Sequence, residues 1–176
     1  MKRIFLIFST LCFCVFCIMA KNPESEARKK AKQLTKTGWV LYDSSGPTLD
    51  KQILAEWGYA NMPSKHDPSR HAYITDTQIG KGKRLEDVLQ KTRNTCYSGL
   101  ASLIQTEIGN ILDSQTNSTS SNDGNVQTQQ DILNIIGTRS RECLRNVEEG
   151  LIIFRKVKDE YEVQMTLRLC TDMLYE

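Results

Sequence analysis

The run from Arg84 to Asp113 constrains the fold more than any other feature of this sequence. Its core-type positions recur at steps of three and four, the spacing of one face of an α-helix. These positions are Leu85, Val88, Leu89, Thr92, Cys96, Leu100, Leu103, Ile104, Ile108, Ile111 and Leu112. The pattern predicts an amphipathic helix of about thirty residues, or about eight turns. Gly99 and Gly109 lie inside it at a cost of about 1 kcal/mol each relative to alanine, so we expect a close approach of another element or a bend there.

The C-terminal part of the chain changes to a period of two, which is typical of a half-buried β-strand. Val163, Met165, Leu167 and Leu169 fall on one side of this strand, and Glu162, Gln164, Thr166 and Arg168 fall on the other. The preceding segment from Ile152 to Lys158 and the polar pair Asp159-Glu160 predict an antiparallel hairpin.

Three further segments lie between residue 70 and this hairpin. We predict a strand from His71 to Ile79, a polar loop over 113–125 and a second helix near Val126–Val147. On the second helix, one face carries Ile132, Ile136, Cys143 and Val147. Residues 70–176 are therefore expected to form an α+β domain, in which the long amphipathic helix and the second helix pack on one face of a small antiparallel sheet. The other face of the sheet is expected to meet water or a partner.

An N-terminal helical and turn segment over 21–69 precedes this domain. A helix capped by Asn22 or Ser25 and stopped near Gly38 is followed by a short strand at Trp39–Tyr42 and a short helix after Thr48. The first helix is rich in lysine and arginine, and its apolar stripe is thin. Contact with an anionic membrane surface is one interpretation, but a solvated basic face is favoured because large apolar residues are lacking.

Residues 1–20 have the pattern of a secretory signal peptide. A basic start at Lys2-Arg3 is followed by an apolar stretch from Ile4 to Ala20, and Lys21 begins a polar segment. The three cysteines of this stretch, Cys12, Cys14 and Cys17, are each preceded by a large residue, so none is expected to carry a lipid. We predict cleavage after Ala20 and export, with an uncleaved inner-membrane anchor over residues 4–20 as the alternative.

Removal of residues 1–20 leaves 21 basic and 21 acidic residues. Nucleic-acid-binding domains usually carry a clear basic excess, so the balanced charge argues against a nucleic-acid partner.

The reactive residue types form no recognisable catalytic pattern. Cys96 and Cys143 fall on apolar helix faces, which favours packing, with a Cys96–Cys143 disulfide as the sharper alternative. Cys170 is the best candidate for an exposed thiol or an intermolecular bridge. A Cys-His pair with His71 is disfavoured, because nothing in the sequence places the imidazole beside that thiol.

The histidines do not predict a metal site. The step of five from His66 to His71 fits neither one helical face nor one strand face, and Pro68 between them indicates a loop. Gly80 and Gly82 lack the spacing of a nucleotide-binding loop. We therefore predict no catalytic, cofactor-binding or metal-binding residues.

Four stretches carry a resemblance to known proteins. "AKQLTKTGW", "PTLDKQILAEW", "LASLIQTEIGNIL" and "YEVQMTLRL" resemble uncharacterised exported proteins of Bacteroidetes-type bacteria. The order of elements from Arg70 to Cys170 is also similar to a small bacterial surface-lipoprotein family that includes flagellar basal-disc lipoproteins, which assemble at the outer membrane. This resemblance implies an envelope or interaction module capable of self-assembly, although the signal here lacks a cysteine suited to lipidation.

These observations predict an exported, non-enzymatic protein of structural or protein-interaction type. We expect it in the periplasm or at the periplasmic face of the outer membrane. The expected partner is an envelope protein or a second copy of the chain, with peripheral contact to the membrane surface as a further option. No small-molecule ligand can be identified from the sequence. An open sheet edge left by the hairpin is the expected recruiting surface. The alternative is a periplasmic ligand-binding protein or enzyme, with Trp39, Trp57 and His71 lining a pocket between the N-terminal segment and the sheet.

Overall fold

A computed structural model describes residues 22–117 and 126–174 of the chain. Four helices and four strands follow in the order α1 (Pro23–Lys36), β1 (Val40–Leu41), α2 (Leu49–Asn61), β2 (Tyr73–Gly82), α3 (Leu85–Asn117), α4 (Val126–Cys143), β3 (Glu148–Val157) and β4 (Glu160–Cys170). Short 3₁₀ turns follow α4 at Leu144–Asn146 and β4 at Thr171–Leu174. The predicted signal segment lies outside the described residues.

The strands form one antiparallel sheet in the order β1-β3-β4-β2. The predicted C-terminal hairpin is present as β3 and β4, and β4 lies in the interior of the sheet because β2 pairs along its whole length on the other side. The predicted α+β class with a small antiparallel sheet is confirmed.

Helix α3 packs on one face of the sheet, here called the α3 face. Its buried stripe includes Cys96, Leu100, Ile104 and Ile108, and this stripe meets the buried alternate residues of β4, which are Val163, Met165, Leu167 and Leu169. The helical stripe of α3 and the alternating apolar residues of β4 therefore form one apolar cluster, as the sequence predicted. The helix extends to Asn117, beyond the expected end at Asp113, so the first part of the predicted polar loop is helical.

Glycines allow α3 to lie close to β2. A Cβ atom at Gly99 would lie 2.4 Å from Oδ2 of Asp76, and one at Gly80 would lie 2.0 Å from Oγ1 of Thr92. Gly99 therefore marks the close approach that was expected, whereas a Cβ atom at Gly109 would meet nothing within 4 Å.

Helix α4 packs mainly on α3 and on the 3₁₀ turns. It ends at Cys143, earlier than the predicted Val147, and Leu144–Asn146 lead into β3. Cys143 is buried in the α3-face cluster, with Ile136 and Val147 packed against it, while the side chain of Ile132 lies outside the described part.

The opposite face of the sheet is covered in part by α1 and α2, and we call it the α1–α2 face. A second buried cluster there consists of Ala27, Trp39, Ile53, Leu151 and Ile153. The expectation that this whole face would meet water or a partner is therefore corrected.

Helix α1 is capped at both ends. Asn22 is the N-cap, and its side chain accepts from the Glu24 N–H at 3.0 Å. Thr37 is the C-cap, and Gly38 follows it with a positive φ of 85°.

Among the described residues, no helix combines the length and apolarity needed to cross a membrane.

Two leucines on α3 test the packing. Leu100 is 0% exposed, whereas Leu103 is 44% exposed, so the prediction of Leu103 as a core-type position is wrong. We expect Leu100→Ala to lower the free energy of unfolding by about 3 kcal/mol, because it leaves a cavity between α3 and β4. Leu103→Ala is the matched control, with an expected cost below about 1 kcal/mol. Urea denaturation of both variants checks this, and equal costs would contradict the assigned face of α3.

Candidate functional site

Strand β2 forms one edge of the sheet over its full length. It spans ten residues, whereas the opposite edge strand, β1, has only two. Within residues 22–117 and 126–174, no strand pairs with the outer side of β2. Unpaired backbone groups along such an edge can accept another strand.

The register shows which backbone groups of β2 point outward. Tyr73 lies opposite Cys170, and the N–H of Thr171 donates to the carbonyl of Ala72 at 2.8 Å. Because bonded and non-bonded pairs alternate along an antiparallel ladder, this places the N–H and C=O groups of even-numbered residues toward β4. The inward set is Ile74, Asp76, Gln78 and Gly80, and the outward set is Thr75, Thr77, Ile79 and Lys81.

Side chains of the outward set lie on the α1–α2 face, where Thr75 is half-buried and Thr77, Ile79 and Lys81 are exposed. The hydroxyls of Thr77 and Thr166 are 2.8 Å apart, and Lys81 forms an ion pair with Glu162 at 2.6 Å. Ile79 is 59% exposed, although it stands opposite Gln164 in the middle of a paired strand. The edge therefore offers both unpaired backbone groups and an exposed β-branched side chain.

A row of charges crosses the sheet next to this edge. Glu162 of β4 accepts from Lys81 of β2 at 2.6 Å and pairs with Arg155 of β3 at 2.6 Å. The Arg155 guanidinium also lies 4.8 Å from the ring centre of Trp39, which ties the row to the second buried cluster. Hydrogen bonds from Lys81 and then from Arg155 lower the pKa of Glu162 below its ordinary value.

A second polar cluster joins α2 to the sheet. Arg168 of β4 donates to Glu56 of α2 at 2.8 Å and to Glu148 of β3 at 3.0 Å, and its guanidinium lies 3.8 Å from the ring centre of Tyr59. The Glu56 carboxylate also accepts from the N–H of Leu151, which is available because the β3–β4 ladder is irregular between Glu149 and Ile152. Burial raises the pKa of Glu56, and Arg168 opposes that shift.

The pocket expected between the N-terminal segment and the sheet exists as a cavity of about 200 Å³. It is lined by Lys30, Leu34, Ile53, Glu56, Trp57, Leu151, Gln164 and Thr166. Of the three residues predicted to line it, only Trp57 does so. Trp39 is buried in the second cluster. His71, the predicted first residue of the strand, lies two residues before β2, and its carbonyl accepts from the Thr171 hydroxyl. Ligand pockets are usually about 300–1,000 Å³, so this cavity is small for that purpose.

The three cysteines in the described part of the chain, Cys96, Cys143 and Cys170, form no disulfide with one another. The Cys96 thiol donates to the carbonyl of Met165 at 3.3 Å, and that of Cys143 is 3.9 Å from the carbonyl of Met173, so the Cys96–Cys143 disulfide alternative is not formed. Burial raises the pKa of the Cys96 thiol to about 11, which keeps it protonated and unreactive at neutral pH. Cys170 is partly exposed at the end of β4.

The histidine segment is held by other contacts. The N–H of His66 donates to Oγ of Ser64 at 3.3 Å, and Asp67 pairs with Arg70 at 3.2 Å. In the part of the chain that the structure describes, no three His, Cys, Asp or Glu side chains converge in a way that could hold a metal ion. Nor does any hydrogen bond or ion pair described there join the His71 imidazole to the Cys170 thiol.

The predicted open edge on the hairpin is present only in part. Among the described strands, β1 pairs with β3 at Phe154 and Ile153 alone, so the rest of β3 has an open outer side, whereas β2 is open along its whole length. The signal for this strand was present in "YITDTQIGKG", where Thr75, Thr77 and Ile79 alternate as β-branched residues. Which strand pairs on each side of β4 cannot be derived from such a local pattern.

Comparison of the chain with protein-family models, curated proteins and solved structures finds no match.

The lowered pKa of Glu162 predicts a pH-dependent effect. A carboxylate with a lowered pKa stabilises the fold above its ordinary value of 4.5, and this contribution is lost as the pH falls through the lowered value. Glu162→Gln should therefore lower the melting temperature at pH 7 and make little difference well below pH 4.5. Calorimetry of both proteins from pH 7 to pH 3 checks this, and a constant difference would show that the charge is not involved.

Arg168 should hold α2 on the sheet. The side chains of Arg168 and Glu56 are 12% and 17% exposed, so Arg168→Ala leaves a carboxylate buried without its cation, and we expect a loss of about 3 kcal/mol. Arg84→Ala breaks an ion pair whose side chains are 74% and 66% exposed and should cost less than about 0.5 kcal/mol. Denaturation followed by tryptophan fluorescence measures both, and similar losses would argue against the docking role.

Proposed function

We propose that this chain is an exported, non-enzymatic protein of the cell envelope that binds another protein by strand addition at the outer edge of β2. The observation that carries the proposal is the ten-residue edge strand with its outward set of backbone groups. Main-chain hydrogen bonds give affinity in this mode of recognition, and alternate side chains give selectivity.

The side chains along β2 favour a particular kind of partner segment. Ile79 offers apolar surface, Thr77 a hydroxyl and Lys81 a partly neutralised cation on the same face. A partner strand with a β-branched or aromatic residue beside Ile79 would bury surface that is now exposed, and such cross-strand pairs contribute about 0.2–1 kcal/mol each. An extended, β-prone segment with alternating apolar residues is therefore the expected ligand.

The placement in the envelope is supported by the sequence of residues 1–20. Their basic start, apolar middle and small residue before a polar break are the features of an export signal. The proposal of a binding rather than a catalytic role is supported by the described charged clusters, since those at Glu162 and Arg168 each join separate elements of the fold.

A proline at position 79 should block the edge without breaking the sheet. The N–H of Ile79 belongs to the outward set, so Ile79→Pro removes a donor that faces the open side and places a ring there, which edge strands tolerate. We expect the full-length variant to fold and to lose its envelope partner in co-purification from detergent-solubilised cells. Ile79→Val is the matched control, because it keeps the N–H, the β-branched shape and most of the apolar surface and should retain the partner.

Gln78→Pro provides the opposite control, since it removes an N–H directed toward β4 and should destabilise the fold itself. Retention of the same partner by the folded Ile79→Pro protein would contradict strand addition. Light scattering on the purified protein shows whether the partner is a second copy, and cell fractionation with N-terminal sequencing tests export and cleavage after Ala20.

A further inference from the structure

Helices α1 and α2 enclose a shallow groove of about 570 Å³ on the surface of the protein. Its lining residues are Arg28, Ala31, Lys32, Thr35 and Lys36 from α1, and Leu49 and Asp50 from α2. The groove is separate from the 200 Å³ cavity beneath the helices, whose α1 residues are Lys30 and Leu34. None of its lining residues belongs to β2 or takes part in the strand-addition site.

One rim of the groove is a row of cations. Arg28, Lys32 and Lys36 occur at every fourth position of α1, so they lie on one side of the helix along about 12 Å, at a rise of about 1.5 Å per residue. Arg28 lies 3.9 Å from Glu24 and 3.8 Å from Asp50, which partly neutralises that end. Among the ion pairs of the described residues, none includes Lys32 or Lys36, so the positive charge is concentrated at the C-terminal end of α1.

The floor of the groove is apolar and made of short side chains. Ala31 and Thr35 leave a depression along α1, and the half-buried Leu49 forms its opposite wall. This surface has holes along α1, and Leu49, the large apolar side chain among its lining residues, is half-buried and does not project outward. It is poorly suited to insertion into a bilayer, which requires bulky apolar groups that project outward. It is better suited to receive bulky side chains from a partner.

We propose that this groove binds an acidic amphipathic helix of a partner protein. The helix would place carboxylates, spaced at every fourth residue, against Lys32 and Lys36, and would place large apolar side chains over Ala31 and Leu49. Charge complementarity favours this occupant. The apolar floor of the groove lies beside Lys32 and Lys36, which have no ion pair among the described residues, so it matches a helix with an apolar face and acidic residues along one side of that face. This site is independent of strand addition at β2.

A designed peptide serves as the probe. It is a 14-residue helix with glutamates at every fourth position next to a leucine stripe, and a second peptide has lysine in place of each glutamate. Titration of the full-length protein with each labelled peptide by fluorescence anisotropy gives the affinities. We expect saturable binding of the acidic peptide that weakens with salt, and binding of the basic peptide that is at least about tenfold weaker.

Two changes in the protein separate charge from shape. Lys32→Glu with Lys36→Glu should weaken binding of the acidic peptide by at least about tenfold and improve binding of the basic one. Lys83→Glu with Lys91→Glu changes the net charge equally at a distance from the groove and should alter binding by less than about twofold. Thr35→Phe fills the groove at an exposed position and should also weaken binding of the acidic peptide, although the charges are unchanged.

Circular dichroism establishes that each variant is folded, and Ile79→Pro should bind the peptide as well as the unchanged protein does. Equal affinity for the two peptides, or equal losses in the rim and distant variants, would overturn the proposal. Co-sedimentation with vesicles of anionic phosphatidylglycerol is the competing test. Vesicle binding that depends on Lys32 and Lys36, with no binding of the acidic peptide, would assign the rim to a lipid surface and also overturn it.

Discussion

The contact between α3 and the sheet is the interaction on which the rest of the structure depends. Leu100 and Ile104 of α3 meet Met165 and Leu167 of β4, and all four side chains are completely buried. The same helix lies close over β2, where Gly80 and Gly99 remove the side chains that would separate the two elements. Helix α3 covers one face of β2, and β2 pairs only with β4 among the described strands, so its outer side is open.

The second layer, α1 and α2, covers only part of the other face of the sheet. Helices α1 and α2 bury Leu151 and Ile153 of β3, and the Glu56–Arg168 pair secures α2 to β4. The helices do not extend over Ile79 at the far part of β2. Unequal coverage therefore produces the exposed edge, and the small residues of α1 that allow close packing also leave the groove beside Lys32 and Lys36.

The long helix, the hairpin and the fold class could be predicted from the sequence because each has a strong local period. The coverage of the second face could not be derived from β4, since its polar side carries Glu162, Thr166 and Arg168, a pattern usual for a solvated face. Those groups are instead paired across strands or with α2. A signal was available in β3, where the continuous apolar run "LIIF" at 151–154 indicates a strand buried on both faces.

The candidate site was less predictable than the fold. An open edge on the hairpin was expected, and β3 keeps one over part of its length. The longer edge on β2 was not predicted, because strand order depends on pairing between segments about ninety residues apart, such as Thr77 and Thr166. The thin stripe of Ala27, Ala31 and Leu34 gave little sign of the packing of α1, since alanine gives a weak periodic signal and yet permits the closest helix contacts.

Residue-resolved amide hydrogen exchange tests the central claim most directly. In the isolated protein, the amides of the outward set on β2 should exchange rapidly, while those of the inward set should be protected by their bonds to β4. In a complex with the proposed protein partner, the outward set should become protected as well. Outward amides that are already protected in the isolated protein, or that remain unprotected in the complex, would contradict strand addition at β2.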